Sequence, residues 1–183
     1  MKVLNVGGGS RILPAQYDGW EQTLLDIDHK VNPDKCMESR EIALRMNSGE
    51  YDAVYSSHCL EHSYKHHVVE ILQGFFHVLK EGGYTEIHVP NIRSVLDAML
   101  RGNLDINDTW YRTGQGHPIT FHDVLFGWGE QVSRGNEYYA HKTGFTARSL
   151  SEALLAAGFS EVMIGEHGYD IYAKATKQCL SPT

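Results

Sequence analysis

Cysteine is scarce and unpatterned in this chain. Cys36, Cys59 and Cys179 are far apart and odd in number, which excludes a disulfide framework and a paired-cysteine metal knuckle. Such usage suits a reducing, cytoplasmic compartment. Long apolar runs are missing too. No stretch approaches the roughly 20 apolar residues of a membrane span, and Met1-Lys2-Val3-Leu4-Asn5-Val6 lacks the apolar region of a signal peptide. No membrane partner is expected. Positive charge is the third shortage. Lys and Arg number 16 against 23 Asp and Glu, a formal net charge of -7. That balance disfavours a phosphate-tracking surface, so a small molecule is a better expected partner than nucleic acid.

What is present is enough for one core. With 183 residues and 42% apolar content, the expectation is a single domain over 1–183. Val3-Leu4-Asn5-Val6 is short, mostly apolar and closed by three glycines, which predicts a buried strand entering a tight turn. Thr23 to Asp28 reads as a second strand, Lys35-Cys36-Met37 as a weaker one, and Tyr51 to Ser56 as a clear one after the turn signal Asn47-Ser48-Gly49. From His66 to Lys80, Val69, Leu72, Phe76 and Leu79 recur at helical steps, with Gly82-Gly83 as the expected stop. Tyr84 to Val89 is the next strand, and Ile92 to Arg101 a possible helix. Gly102 to Lys142 is polar, aromatic and rich in Gly and His without period, so 92–143 reads as an insertion or lid. Ala147 to Ala157, capped by Thr146, is a helix. Glu161 to Ile164 and Asp170 to Ala175, separated by Gly165 to Gly168, close the sheet as an antiparallel hairpin. Strands alternating with helices predict an α/β architecture, mostly parallel, with ligands at the carboxyl ends of the strands.

The chemistry begins at Gly7-Gly8-Gly9, where a strand ending in glycines lets backbone amides approach a ligand closely. A dinucleotide fingerprint would put a third glycine at position 12, where Ile12 stands, and that weakens an NAD reading. A Walker loop fails because no Gly-Lys-Ser/Thr follows. An acid ending the second strand, about twenty residues on, is well placed for the two hydroxyls of a ribose. Asp26 and Asp28 are the candidates.

Together these segments resemble the class I S-adenosylmethionine (SAM)-dependent methyltransferases, especially the small, type 11-like members, over nearly the whole chain. Leu4 to Ser10 is similar to the family's first motif, Leu25 to Asp28 to its second, and Tyr51 to His62 to its fourth. Leu79-Lys80-Glu81-Gly82-Gly83 resembles its turn before the fifth strand, and Lys142 to Phe145 with Ala157-Gly158-Phe159 its C-terminal part. The resemblance implies a Rossmann-like, seven-stranded, mostly parallel sheet with SAM as cofactor. It implies that Gly7-Gly8-Gly9 meets the methionine part and that Asp26, with Asp28 as fallback, holds the ribose. Glu38 and Ser39 would meet the adenine, and Ser57 and His58 would line the pocket near the methyl group. Asn5 and Arg11 stand where the family carries an acid and a third glycine. Ser10 to Trp20, containing Pro14 and Gly19, shows no helical period, so the first crossover helix is expected to be reduced.

His58 is the candidate base, since an imidazole at a strand end titrates near neutrality. His58 and His62 stand four apart but have no third ligand in sequence, so no metal is expected. His66 and His67 are read as solvent-exposed and Cys59 as a buried small side chain rather than a nucleophile. Trp110, Tyr111, His117, His122, Tyr138, Tyr139 and His141 either form a substrate lid or pack the insertion. The leading expectation is methyl transfer to an O, N or C nucleophile of a small molecule. The alternatives are a non-catalytic SAM-binding domain or subunit of a modifying complex and, more distantly, an NAD-dependent oxidoreductase.

Overall fold

The computed structural model describes residues 1–9, 11–114 and 116–178. The expected Ser10 part of the first motif and Cys179 lie outside the described residues. Strand β1 (Lys2–Val6) is the middle of the sheet: Val3 to Val6 are buried on both faces, as a run without polar alternation requires. It pairs in parallel with β2 (Glu21–Asp26) on one side and β4 (Tyr51–Ser57) on the other. The two-residue β3 (Lys35–Cys36) edges β2. On the far side, β5 (Leu79–Pro90) follows β4 in parallel, and the hairpin β8 (Glu161–His167) and β9 (Asp170–Thr176) adds antiparallel. The order is β3-β2-β1-β4-β5-β9-β8. The seven-stranded, mostly parallel α/β sheet with a C-terminal antiparallel hairpin is as expected.

The two faces are covered differently. On one, the short α1 (Ile42–Arg45) and the longer α2 (Val68–Val78) and α6 (Ala147–Ala156) pack over Leu4, Val6, Val54 and Ile87. Helix α2 turns Val68, Ile71, Leu72, Phe75 and Val78 inward, a three-to-four residue spacing that makes one continuous apolar stripe. Burying each of these side chains stabilises by roughly 1.5–3 kcal/mol. Thr146 caps α6 by accepting a hydrogen bond from Ser149 N at 3.3 Å. On the opposite face Val3, Tyr17 and Ala53 are covered by Leu13 and Trp20, from the loop between β1 and β2. Among the described residues a single 3-10 turn, Ala15–Tyr17, interrupts that loop. The first crossover helix is thus reduced, as Pro14 and Gly19 predict.

Three local readings are corrected. Helix α2 stops at Val78, and Gly82-Gly83 lies inside a bulged β5, where Tyr51 pairs with Leu79 but Ala53 already pairs with Tyr84. The hairpin turn narrows from 165–168 to Gly168-Tyr169, because Gly165 to His167 continue β8. Strand β2 starts at Glu21 and ends at Asp26, two residues earlier than expected at each end. The aperiodic 102–142 region holds the hairpin β6 (Thr109–Arg112) and β7 (Pro118–Thr120), then α4 (Phe121–Phe126) and α5 (Gly129–Ser133). It follows α3 (Ile92–Gly102), as expected. These elements are too short to leave a period in the sequence.

Candidate active site

The carboxyl ends of β1, β2 and β4 open into one cavity of about 410 Å³, a volume within the range of small-molecule sites. At the end of β1 the chain turns left-handed at Gly7 (φ +65°) and Gly9 (φ +55°). A side chain at Gly7 would come within 2.3 Å of Cys59 Sγ, whereas one at Gly9 would meet nothing within 4 Å. Gly7 is therefore needed for close packing, and Gly9 leaves backbone open toward the cavity. Both border it. Gly8 does not, and a side chain there would come within 2.5 Å of the Asn5 amide.

Asp26, at the end of β2, is buried with its carboxylate turned to the glycine turn. Its Oδ2 accepts from Gly9 N at 3.0 Å and its Oδ1 from Asp28 N at 2.9 Å. Asp28 accepts from Lys30 N at 2.9 Å and from the Tyr138 hydroxyl at 3.0 Å. The Lys30 amide, foremost, and that hydroxyl hold its carboxyl below the usual carboxylate range. Arg11, at the position of the family's third glycine, forks onto Asp34 at 2.7 and 3.0 Å and donates to the Asn32 carbonyl at 3.2 Å. Asp34 also accepts from Leu24 N at 2.8 Å, so Arg11 ties the glycine turn to the β2–β3 loop. Glu38 and Ser39, beyond β3, border the cavity. The Glu38 carboxylate pairs with Arg40.

His58 follows β4 in a left-handed conformation (φ +50°) and donates its amide to the His88 carbonyl at 2.9 Å. That conformation is uncommon outside glycine, and it marks strain held by the surroundings. Its ring stands between two carboxylates, Asp170 3.4 Å from Nε2 and Glu61 3.4 Å from Nδ1. These carboxylates, against the effect of burial, push its pKa up to about 10. His58 borders the cavity, whereas Ser57 does not: it is the last strand residue, paired with His88 on β5. Cys59 lies under Gly7, and burial pushes its thiol up to about 12, which disfavours the thiolate.

Beyond β4 a 3-10 turn, Leu60–His62, meets the end of the insertion. The Glu61 carbonyl accepts from Lys142 N at 2.7 Å and Thr143 N at 3.2 Å. His62 Nδ1 lies 3.2 Å from the Ala140 carbonyl, and His141 Nδ1 lies 3.0 Å from that of Val124. Burial lowers the pKa of His141. Tyr138, Tyr139 and Lys142 form the wall opposite the glycine turn. Trp110 instead packs on Phe121 and Tyr169, with ring centroids 5.1 and 3.9 Å apart. His67 borders the cavity rather than standing in solvent, while His66 is exposed. Sequence reasoning assigned no role to Glu61 and left His141 as one aromatic among many. An acid between Leu60 and His62, in the most specific motif, was the available signal.

A parallel sheet with a glycine turn after its first strand, an acid after its second and an antiparallel final hairpin defines a Rossmann-like methyltransferase fold. The chain belongs to the methyltransferase-domain family, whose model matches residues 1–163. The cofactor of that class is SAM, as the motifs implied. Among solved structures it is similar to a SAM-dependent methyltransferase from Archaeoglobus fulgidus, 15% identical, with a TM-score of 0.60 over 96% of this chain and 86% of that one. It is also similar to human N-acetylserotonin methyltransferase in complex with SAM, 15% identical, with a TM-score of 0.59 over 97% of this chain and 48% of that one. A possible exported protein from Bordetella parapertussis is 16% identical, with a TM-score of 0.59 over 97% of this chain and 62% of that one. The chain thus spans about half to three fifths of the length of the last two. No curated protein sequence matches it.

Proposed function

We propose that the protein uses this cavity to transfer the methyl group of SAM to an oxygen, nitrogen or carbon nucleophile of a small-molecule acceptor. The observation that carries this reading is the convergence of Gly7, Gly9, Asp26, Glu38 and His58 on one cavity at the strand ends. Bound SAM supplies a methyl group on an electrophilic sulfonium, ready for in-line displacement. The protein's task is then chiefly to position the reactants and exclude water.

Gly7 and Gly9 bring backbone to the cofactor's methionine end without side chains in the way. Each Asp26 oxygen accepts one amide and keeps a lone pair for a ribose hydroxyl; we assign Asp26 as the ribose acid, with Asp28 beside it on the same cavity as the fallback. Glu38 and the Ser39 amide take the adenine edge. Asp170 and Glu61 favour the protonated form of His58, against the near-neutral base expected from the sequence, so we assign it to holding the acceptor as a hydrogen-bond donor. Residues 92–143 act as the lid, with Tyr138 and Tyr139 closing over the cavity and Tyr138 latched to Asp28.

The nicotinamide alternative loses support, since among the described residues no α-helix follows the glycine turn to receive a pyrophosphate. A non-catalytic SAM-binding role draws on Asn5, which stands at a position where the family carries an acid. Calorimetry with SAM and with S-adenosylhomocysteine tests the common part: micromolar binding of either supports it, and binding of neither at millimolar concentration overturns it. Transfer of labelled methyl to a panel of small acceptors then separates enzyme from binding domain.

A further inference from the structure

We propose that Glu61, His62 and His141 form a site for one divalent cation of the zinc class, on the side of the cavity formed by the end of β4. The proposal stands on these side chains alone and does not depend on what the rest of the cavity binds.

Glu61 is the first observation. It is 1% exposed, and neither carboxylate oxygen has a hydrogen-bond partner. Among the described residues, His58 pairs with it at 3.4 Å without a hydrogen bond. Burying a carboxylate without hydrogen bonds costs several kcal/mol, so such groups are paired or coordinate metals. The backbone cannot easily carry Glu61 elsewhere, because its carbonyl is held by two amides at the end of the insertion.

The orientation of the histidines is the second. Both Nδ1 atoms face backbone carbonyls, Ala140 for His62 and Val124 for His141. A carbonyl can only accept, so each Nδ1 is the donor, and in the neutral ring Nε2 is the nitrogen left to ligate. That tautomer, fixed by a carbonyl behind the ring, is how metal-bound histidines are usually held. The two rings sit edge to face with centroids 4.8 Å apart. One donor atom from each of the three residues can be chosen so that all lie within 4.8 Å of one another. Around a tetrahedral ion with bonds of about 2.1 Å the donors stand about 3.4 Å apart. Closing the set thus takes an inward movement of roughly 1 Å, within the reach of side-chain torsions.

Two imidazoles and one carboxylate suit zinc and its neighbours, and three protein ligands leave one position open. His62 borders the cavity, so a ligand oxygen or nitrogen can reach an ion held there. The insertion supplies His141, the third group that the His58–His62 pair lacked in sequence.

The test uses the full chain after treatment with a chelator, titrated with Zn²⁺ by calorimetry and with Co²⁺ by visible absorption. The expected result is one ion per chain, weakened at least about tenfold by Glu61→Gln and by His141→Ala. A His66→Ala variant, which removes an exposed histidine that does not border the cavity, should bind as the parent does. Far-UV circular dichroism confirms that each variant is folded, and Glu61→Gln preserves the side-chain shape. The proposal is overturned if the parent binds neither ion at millimolar concentration. It is equally overturned if folded Glu61→Gln binds like the parent, or if the His66→Ala variant abolishes binding.

Discussion

Two buried carboxylates border the same region and are treated in opposite ways. Asp26 takes an amide on each oxygen, from Gly9 and from Asp28, and so welds the glycine turn to the end of β2. Glu61 is more deeply buried, yet its oxygens receive no hydrogen bond and face His58. The first is a finished structural tie with lone pairs to spare, built from the turns that follow two adjacent strands. The second is an incomplete arrangement assembled from β4 and the end of the insertion. A protein tolerates one fully satisfied buried charge at little cost, whereas an unsatisfied one signals a partner that arrives from outside.

Removing Asp26 should break the contrast most. Asp26→Ala strands two amides and is expected to cost about 3 kcal/mol in urea denaturation, with S-adenosylhomocysteine affinity falling at least about tenfold. A loss under about 1 kcal/mol would show that the tie is dispensable. Next in size is Gly7→Ala, at about 2 kcal/mol, from the left-handed backbone and the collision with Cys59. Gly7→Ala/Cys59→Ala removes the sulfur at 2.3 Å but keeps the Cβ at 2.7 Å, so it should regain only part of that loss, and no regain would exclude the sulfur as its cause. Glu61→Gln, by contrast, should cost less than Asp26→Ala in urea denaturation with chelator present, because it strands no amide and Asp170 still faces His58.

The smallest expected effect is at the lid. Tyr138→Phe removes the hydroxyl that bonds Asp28 and should weaken cofactor binding only a few-fold by calorimetry. Asp28 titrates below its ordinary value of 3.8 in the folded chain. Its contribution is therefore complete above that value and disappears as pH falls through the lower, folded one. Acid titration of the Tyr138→Phe variant should show a shallower loss than the parent over that range. An identical loss would detach Asp28 from the latch.

Much of the fold was legible because its signals are local. The apolar run before Gly7, the alternation at Tyr51 to Ser56 and the stripe from Val68 to Val78 each encode an element by itself. Element ends were less legible, since pairing sets them: β5 begins at Leu79 because Tyr51 pairs with it, and Gly82-Gly83 becomes a bulge rather than a stop. Arg11 shows the same limit at the site. In sequence it is a missing glycine, and in the structure it is the clamp on Asp34. The insertion was opaque because none of its elements between 103 and 142 exceeds six residues.

The sequence by itself determined the glycine turn, the acid after the second strand and the order of strands and helices, because backbone conformation and apolar periodicity depend on near neighbours. Only the tertiary structure decided which groups surround Glu61. His62 lies beside it in the chain, but His141 arrives through the insertion and His58 is turned to it by a left-handed kink after β4. Proximity between distant segments follows from how the whole chain closes, and no local pattern of residues encodes it.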